Sequence, residues 1–306
     1  MLEGRPSGVP DQGAVPVIAT KALTKKYGET LALDGLDMEV VEGEVFGFLG
    51  PNGAGKTTTL RLLLGLIHPT SGSARVLGLD PWADAVAVHR RVAYVPGDVA
   101  LWPQLTGAET LELLGRLHGG YDRAYRDELT ERFELDPTKK GRSYSKGNRQ
   151  KVALVAALMT RAELLVLDEP TSGLDPLMEV TFRACVQEAK QRGQTVLLSS
   201  HILAEVEVLC HRVGILRAGR LVDVGPLDDL RHLRTLRVEL TYRGTRPDVS
   251  GVPGVEDEVD MNGTLRFRLR GSSDALLKRL ASYEIDTFIS EEPSLEEVFL
   301  TYYGER

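Results

Sequence analysis

The strongest chemical signal in the chain is a glycine-rich loop that ends in a lysine and a threonine. Residues 50–57 read GPNGAGKT and fit the phosphate-binding pattern G-x-x-x-x-G-K-[ST]. A strand-like run, VFGFLG, leads into this loop, and a helix-like run, TTLRLLLGLI, follows it. Glycines let the backbone curve so that several N–H groups and the start of the next helix face one anion. The sequence therefore predicts that residues 50–57 bind nucleotide phosphates.

Two side chains of this loop have the chemistry to contact a nucleotide directly. Lys56 would neutralise β- and γ-phosphate oxygens, and the hydroxyl of Thr57 would bind Mg²⁺. A glycine-rich turn with a surface lysine is the alternative, and the flanking strand and helix argue against it. The residues predicted to bind the nucleotide in this loop are Asn52, Gly53, Ala54, Gly55, Lys56, Thr57 and Thr58.

A second segment with chemical potential is LLVLDEP at residues 164–170. Its four apolar residues predict a buried strand that ends in two carboxylates. Asp168 would hold Mg²⁺ through water, as a Walker-B acid does. Glu169 would orient or deprotonate the attacking water, because an unperturbed glutamate is ionised at neutral pH. An ordinary acidic strand end is the alternative, and its occurrence downstream of a phosphate-binding loop disfavours it.

Composition limits the classes of protein that could carry these motifs. The chain has 306 residues, of which 42% are hydrophobic and 26% charged, with a formal net charge of −7. Such a chain is neither disordered nor fibrous, and its mild acidity argues against nucleic acid as a partner. The longest apolar run, at 152–159, is too short to cross a bilayer, which needs about 20 residues. The two cysteines, Cys185 and Cys210, cannot form a disulfide framework and are predicted to be small core residues.

The elements that must position the motifs indicate an α/β architecture. Short apolar strands are predicted at 164–167 and 195–199, with a helix at 180–192 between them. This strand–helix–strand order is typical of a layered α/β fold.

The pattern changes after residue 225. Alternating strands are predicted at 235–242 and 264–270, with an acidic cluster, 256–260, in the turn region between them. Helices are predicted at 273–280 and 294–303. The predicted organisation is a flexible Gly/Pro-rich tail without signal-peptide character (1–16), an α/β domain (17–225) and a small α+β accessory domain (226–306).

Around these motifs the sequence resembles the ATP-binding-cassette (ABC) family. YSKGNRQK at 144–151 looks like a degenerate form of the family signature LSGGQ, and SGLD at 172–175 looks like the D-loop. SSH at 199–201 matches the segment of the switch histidine. Tyr27 lies upstream of the phosphate-binding loop, where the family stacks an aromatic ring on adenine, although a tyrosine taken alone is more typical of a core. The resemblance covers about residues 17–225.

The resemblance implies the family's fold and mechanism. The fold is a P-loop NTPase cassette, with a RecA-like α/β core and a helical subdomain. Two cassettes pair head to tail, and each ATP lies between the P-loop of one and the signature of the other. Ser145 and Gly147 would donate to the γ-phosphate on the opposite subunit, and Asp175 would bridge the subunits. His201 would contact the γ-phosphate, which makes the catalytic set Lys56, Glu169 and His201.

Two departures from the family pattern affect the predicted site. The signature has Lys146 where glycine is usual and Asn148 where glutamine is usual. VAYVPGD at 92–98 aligns with the Q-loop, and Gly97 stands where the family has a glutamine that contacts Mg²⁺. Asp98 could reach the metal instead, or the metal could keep another water. No Q-loop glutamine is therefore part of the predicted site.

The function implied is that of the ATP-binding and ATP-hydrolysing subunit of an ABC exporter. Separate transmembrane permease subunits would form the pore, and the chain would be cytoplasmic and peripheral on the inner face of the cell membrane. EPSLEEVFL at 292–300 resembles the tail of daunorubicin-resistance-type ATPases, which pair with ABC-2 permeases. The cargo implied is a drug, an antibiotic or a lipid-like compound, and the cassette could homodimerise or pair with a paralogue.

The alternative is a soluble ABC ATPase of translation or DNA repair. Translation members usually carry two cassettes, whereas this chain has one P-loop. Repair members insert a long coiled coil between P-loop and signature, and the segment between Lys56 and Ser145 is too short for one. A P-loop kinase would not explain Ser145, Asp175 and His201 together.

Overall fold

The computed structural model describes residues 16–201, 203–227, 235–261 and 263–291. The chain divides into two compact units, Met1–Gly225 and Pro226–Arg306. Pro16, which the sequence analysis assigned to the N-terminal tail, is the first residue of a strand. The rest of that tail and the helix predicted at 294–303 lie outside the described residues.

The first unit alternates strands and helices along the chain. Its strands are β1 (Pro16–Tyr27), β2 (Thr30–Val41), β3 (Val45–Leu49), β4 (Ser71–Val76), β5 (Val92–Val95), β6 (Leu164–Asp168), β7 (Thr195–Ser200), β8 (Arg212–Arg217) and β9 (Arg220–Pro226). Its α-helices are α1 (Lys56–Leu63), α2 (Ala85–His89), α3 (Gly107–His118), α4 (Arg123–Arg132), α5 (Lys146–Leu158), α6 (Pro176–Gln191) and α7 (Leu203–Leu209). The described helices include none long and apolar enough to cross a membrane.

A six-stranded sheet in the order β5-β6-β7-β3-β8-β9 forms the centre of this unit. The strands from β5 to β8 pair in parallel, and β3, β6 and β7 are buried along their whole length. Burial on both faces explains why these strands are largely apolar runs. The parallel arrangement brings the carboxyl ends of β3, β6 and β7 to one edge of the sheet. The phosphate-binding loop follows β3, the carboxylate pair spans the end of β6, and His201 follows β7.

A three-stranded antiparallel sheet, β2-β1-β4, packs against the same core. Ile18 and Leu36 from this sheet join Leu60 of α1 and Val166 of β6 in one cluster of buried apolar side chains. This packing places the end of β1, where Tyr27 lies, in the same unit as the phosphate-binding loop.

A helical region lies in the chain between β5 and β6. α3 begins with a capping box, in which Thr106 and Glu109 satisfy each other's backbone N–H groups. α5 contacts both α3 and α4, and its side chains from Gln150 to Leu158 are buried. α5 is therefore the central helix of this region, and its exposed start carries the predicted signature.

The second unit is a four-stranded antiparallel sheet with one described helix. Its strands are β10 (Thr235–Arg243), β11 (Val255–Met261), β12 (Thr264–Arg270) and β13 (Glu284–Glu291), in the order β11-β12-β10-β13, and its helix is α8 (Asp274–Leu280). Leu240, Leu265, Phe267 and Leu276 are part of its separate buried core. The α/β class predicted for the first domain and the α+β class predicted for the second are confirmed.

The prediction of an acidic turn at 256–260 is wrong, because these residues belong to strand β11. Arginines neutralise the strand: Arg268 pairs with Asp257, and Arg246 pairs with Glu258 and Asp260. Arg268 lies on the neighbouring strand β12, where an opposite charge stabilises the sheet, and Arg246 lies in the loop between β10 and β11. An acidic segment in isolation has low strand propensity. Strand β13 also had no counterpart in the sequence analysis.

Two helix ends differ from the predicted ones. The helical run after the phosphate-binding loop was expected to continue to residue 67, but α1 ends at Leu63 and Gly65 has a left-handed φ of 64°. α6 begins at Pro176, four residues before its predicted start, because Asp175 caps it and proline suits the first helical position.

Candidate nucleotide-binding and catalytic site

The phosphate-binding loop joins the end of β3 to the start of α1. Gly55 caps this helix with a φ of 113°, a conformation that side chains other than hydrogen strongly disfavour. A Cβ atom at Gly55 would also lie 2.7 Å from the carbonyl oxygen of Ala32. The first N–H groups of a helix have no partner within it, so those at the start of α1 are available to an anion in the loop.

Lys56 is folded into this loop and is only 5% exposed. Its ammonium donates to the carbonyl oxygens of Gly50, at 2.7 Å, and Pro51, at 3.4 Å, and lies 3.6 Å from Oε1 of Glu169. Burial lowers the pKa of Lys56, and the carboxylates of Glu169 and Asp168 oppose that shift. The lysine is thus a buried cation whose present acceptors phosphate oxygens could replace.

Asp168 lies between two hydroxyl groups at the end of β6. Thr57 donates through Oγ1 to Oδ2 of Asp168 at 2.9 Å, and Ser199 donates through Oγ to Oδ1 at 2.5 Å. Ser199 has no predicted role of its own. The structure thus brings Thr57 and Asp168, the two predicted metal ligands, into direct contact. A hydroxyl and a carboxylate fit Mg²⁺, which prefers oxygen ligands and completes its shell with waters and substrate phosphates.

Glu169 and His201 form an adjacent pair. His201 Nδ1 lies 3.2 Å from Oε1 of Glu169, the same oxygen that Lys56 approaches. Glu169 has a left-handed φ of 46°, and its N–H donates to the carbonyl oxygen and the hydroxyl of Ser199. The three residues predicted as catalytic therefore converge around one carboxylate oxygen.

Gly97 lies directly beside Asp168. A Cβ atom at this position would be 3.3 Å from the carbonyl oxygen of Asp168 and 3.7 Å from its Cγ. β5 pairs with β6, which explains why the segment after β5 reaches the carboxylate. The side chain missing at Gly97 would therefore face the predicted metal site, whereas Asp98 is exposed.

Tyr94 is a neighbour of this site that the sequence analysis missed. Burial, with the charge of Asp168 as a further cause, raises the pKa of Tyr94 to about 12. Tyr94 pairs in register with Val166, two residues before Asp168, so alternation along the strands puts Tyr94 and Asp168 on one face of the sheet. The available signal was the position of Tyr94 near the end of a strand, and that signal depends on knowing that β5 and β6 are neighbours.

Tyr27 is an exposed aromatic residue rather than a core residue. It is 45% exposed at the end of β1, and the ammonium of Lys25 lies 5.0 Å from the centroid of its ring. An exposed ring that a cation flanks on one side leaves surface on which a base can stack.

The predicted signature begins helix α5 and packs against the predicted D-loop of the same chain. Ser145 caps α5 by accepting from the N–H of Asn148 at 3.3 Å, and Lys146 donates to the hydroxyl of Ser172 at 2.9 Å. A Cβ atom on Gly147 would lie 2.3 Å from the carbonyl oxygen of Gly173. Glycine is therefore required at position 147 for this close packing.

Asp175 is exposed and caps helix α6. Its Oδ1 accepts from the N–H groups of Leu177 and Met178, both at 3.1 Å. This capping holds the end of the predicted D-loop in a defined conformation next to α5.

Two protein-family models match the chain. The model of the ABC transporter family matches residues 33–172. A model described as the C-terminal domain of DrrA1-3-like ATP-binding proteins matches residues 225–303. Together they include most of both structural units.

Curated relatives match nearly the whole chain. The daunorubicin resistance ATP-binding protein DrrA3 of Streptomyces coeruleorubidus is 37% identical over 303 residues, covering 94% of this chain and 96% of its own. The bacitracin transport ATP-binding protein BcrA of Bacillus licheniformis is 35% identical, and the match covers 94% of this chain and 97% of BcrA. The daunorubicin/doxorubicin resistance ATP-binding protein DrrA of Streptomyces peucetius is 34% identical, and the match covers 94% of this chain and 92% of DrrA.

Solved structures match the first unit. An ATP-binding subunit of an ABC transporter aligns with a TM-score of 0.66 and 33% identity, covering 70% of this chain and 92% of its own. A dimeric ATP-binding cassette in a post-hydrolysis state, bound to ADP and phosphate, aligns with a TM-score of 0.63 and 25% identity, covering 69% and 98%. These matches confirm the predicted cassette fold and the ATPase activity, and they support a transporter subunit over a soluble ATPase of translation or repair. The chain belongs to the family of ABC transporter ATP-binding proteins and binds ATP.

Proposed function

We propose that ATP hydrolysis by this chain drives the export of a drug, an antibiotic or a lipid-like compound through separate transmembrane permease subunits. The observation that supports the catalytic site is the convergence of Lys56 and His201 on one carboxylate oxygen of Glu169. The cargo class is supported by relatives named for daunorubicin resistance and bacitracin transport, which match the chain along nearly its whole length. The chain works at the cytoplasmic face of the cell membrane that its permease partners span.

The phosphates of ATP bind in the loop at 50–57. The N–H groups at the start of α1 and the ammonium of Lys56 face the phosphate oxygens, and Tyr27 stacks on the adenine. Thr57 and Asp168 would hold Mg²⁺, which would supply positive charge that neutralises the phosphate oxygens. The remaining backbone contacts come from Asn52, Gly53, Ala54, Gly55 and Thr58.

Glu169 is the general base for the attacking water. The 3.2 Å distance between Oε1 of Glu169 and Nδ1 of His201 supports a role for the imidazole in orienting that carboxylate. From the end of β7, His201 also contacts the γ-phosphate. The left-handed backbone of Glu169 is the kind of local strain that recurs at catalytic positions.

Two cassettes form the complete ATPase, either as two copies of this chain or as this chain with a paralogue. Ser145 and Gly147 contact the γ-phosphate bound on the opposite cassette, and Asp175 bridges the subunits. The exposure of Ser145 and Asp175 and the dimeric state of a solved cassette of the same fold support this arrangement.

Glu169→Gln tests the proposed base. The amide cannot accept the proton of the attacking water, so we expect turnover to fall about 100-fold or more, as general-base contributions do. ATP affinity should stay within about two-fold, because the P-loop is unchanged. The measurements are steady-state ATPase rates and calorimetric titration with ATP.

Glu163→Gln is the matched control, because Glu163 pairs with Arg91 at the opposite end of β6 from Asp168. It should retain the wild-type ATPase rate. A Glu169→Gln variant that hydrolyses ATP at the wild-type rate would show that Glu169 is not the base.

Export is tested by reconstituting the chain with a transmembrane protein that co-purifies with it from membranes. Inside-out vesicles containing both proteins should accumulate a daunorubicin- or bacitracin-like compound when ATP is added, and the Glu169→Gln complex should not. ATP hydrolysis without accumulation of any compound from a panel of drugs, peptide antibiotics and lipids would contradict the export role and leave the ATPase assignment intact.

A further inference from the structure

Glu205 of helix α7 contacts both segments that carry the catalytic pair. Its Oε1 accepts from the hydroxyl of Thr171, and its Oε2 accepts from the hydroxyl of Ser200 at 2.8 Å. Thr171 lies two residues after Glu169, and Ser200 directly precedes His201. One carboxylate therefore joins the segment after β6 to the end of β7.

Both hydroxyl donors are shielded from water. Thr171 is 8% exposed and Ser200 is 1% exposed. A buried hydroxyl that loses its acceptor has no water to replace it, so the contacts with Glu205 are costly to break. The two bonds therefore hold their segments together in the folded chain.

Helix α7, which carries Glu205, is packed against the central sheet. Val206 and Leu209 are buried, and Val206 packs against β3 where Gly47 has no side chain: a Cβ atom at Gly47 would lie 2.6 Å from Cγ1 of Val206. Because its neighbour is packed against the central sheet, Glu205 can position the two segments rather than follow their movement.

The segment after Glu169 needs such support. Glu169 has a left-handed φ of 46°, which persists only where the surroundings impose it. Its N–H donates to the carbonyl oxygen of Ser199 at 3.1 Å, and its own carbonyl oxygen accepts from Ser172 at 3.1 Å. The bond from Thr171 to Glu205 adds a third attachment, on the side that faces α7.

We propose that Glu205 is a positioning residue for ATP hydrolysis, whose two carboxylate oxygens link Thr171 to Ser200 and thereby set the distance between Glu169 and His201. This inference rests on the roles proposed above for Glu169 and His201. Glu205 acts through the two segments and does not touch the nucleotide.

Glu205→Ala tests this role by separating kcat from KM. We expect kcat to fall about 10- to 100-fold, as displacements of about 1 Å at a catalytic group do. The KM for ATP and the calorimetric ATP affinity should stay within about two-fold, because Glu205 bonds to the segments of Glu169 and His201 rather than to the loop at 50–57.

Glu205→Gln and Thr171→Val keep the test informative if the alanine variant is unstable. The glutamine retains an acceptor oxygen and adds a donor that a hydroxyl can accept, so it should restore most of kcat. Thr171→Val should lower kcat in the wild-type chain and cause no further loss in the Glu205→Ala chain, because both changes break one link.

Glu44→Ala is the control for a loss that comes only from stability. Glu44 is another partly buried carboxylate, and it holds Arg212 and the N–H of Val41 at the opposite end of β3 from the phosphate-binding loop. This variant should lower the melting temperature and leave kcat unchanged.

A Glu205→Ala variant with wild-type kcat would overturn the inference. The inference would also be overturned if KM for ATP rose in Glu205→Ala along with the fall in kcat, or if Glu205→Gln did not restore kcat. An equal fall of kcat in Glu44→Ala would overturn it as well. Glu169→Gln in the same assays separates the two proposals. If Glu169→Gln turns over normally, the proposed base is wrong, whereas its inactivity beside a fully active Glu205→Ala rejects only the positioning role.

Discussion

The charge of Lys56 depends on a balance between burial and the two carboxylates around it. Removal from water lowers its pKa below the usual value, and the nearby Glu169 and Asp168 offset part of that change. In the proposed complex, a bound triphosphate adds negative charge within contact distance of the ammonium and shifts the pKa of Lys56 upwards. Nucleotide binding and protonation of Lys56 are therefore linked.

ATP affinity should fall as the pH rises through the lowered pKa of Lys56. Below that pKa the lysine binds ATP in its charged form, and above it binding must first take up a proton. The ionisation of ATP itself does not change the affinity at alkaline pH, because its phosphates are fully ionised well above pH 6. Calorimetry between about pH 7.5 and 10, in buffers of different ionisation enthalpy, measures both the affinity and the proton uptake.

Lys56→Ala is the control for this pH dependence. It should bind ATP more weakly at neutral pH and show little change in affinity over the same range. If Lys56→Ala retains the wild-type affinity and the wild-type pH slope, another group binds the phosphates and titrates.

At the scale of a single element, the start of α5 combines two opposing features. Lys146 occupies the first position of this helix, where the helix dipole disfavours a positive charge. Its ammonium instead donates to Ser172, and the proposed dimer brings a phosphate of the opposite cassette to the same helix end. The charge of Lys146 is thus unfavourable for the isolated helix and favourable for the nucleotide.

Lys146→Glu and Lys146→Gln both lose the ammonium that donates to Ser172. A comparison of the two variants therefore isolates the effect of a negative charge at this helix end. The glutamate variant should be more stable than the glutamine variant by about 0.3–1 kcal/mol, which is the usual contribution of a charge near a helix end. Its ATPase rate should be the lower of the two, because a carboxylate would face the phosphate. Thermal unfolding and ATPase assays measure both effects, and equal ATPase rates would contradict the proposed position of the signature.

At the scale of the whole molecule, each of the two units has a buried core of its own among its described residues. One is built around the six-stranded sheet and the β2-β1-β4 sheet, and the other fills the antiparallel sheet of the second unit. Units with their own cores can fold independently. Every residue proposed to contact the nucleotide belongs to the first unit.

A chain that ends at Gly225 should therefore fold cooperatively and bind ATP with an affinity within about two-fold of the full chain. Circular dichroism during heating and calorimetric titration are the measurements. If the shortened chain is unfolded, or binds ATP much more weakly, the second unit is required for the first one to fold or to bind nucleotide.

Functional residues that are close together in the sequence were predictable from it. The phosphate-binding loop follows the buried strand β3, and the pair Asp168-Glu169 spans the end of the buried strand β6, so each motif is a short, recognisable run of residues. The central strands were predictable for the same reason, because burial on both faces imposes continuous apolar runs. The acidic strand β11 was not, because the arginines that neutralise it come from elsewhere in the second unit.

The sequence by itself thus determined the nucleotide-binding motifs, the α/β class of the first unit and the family resemblance. The tertiary structure alone decided which distant residues meet: Tyr94 and Gly97 beside Asp168, and Glu205 between Thr171 and Ser200. These contacts depend on β6 lying between β5 and β7, and on α7 packing against β3. Strand order and packing are set by the whole core, so no local pattern in the chain specifies them.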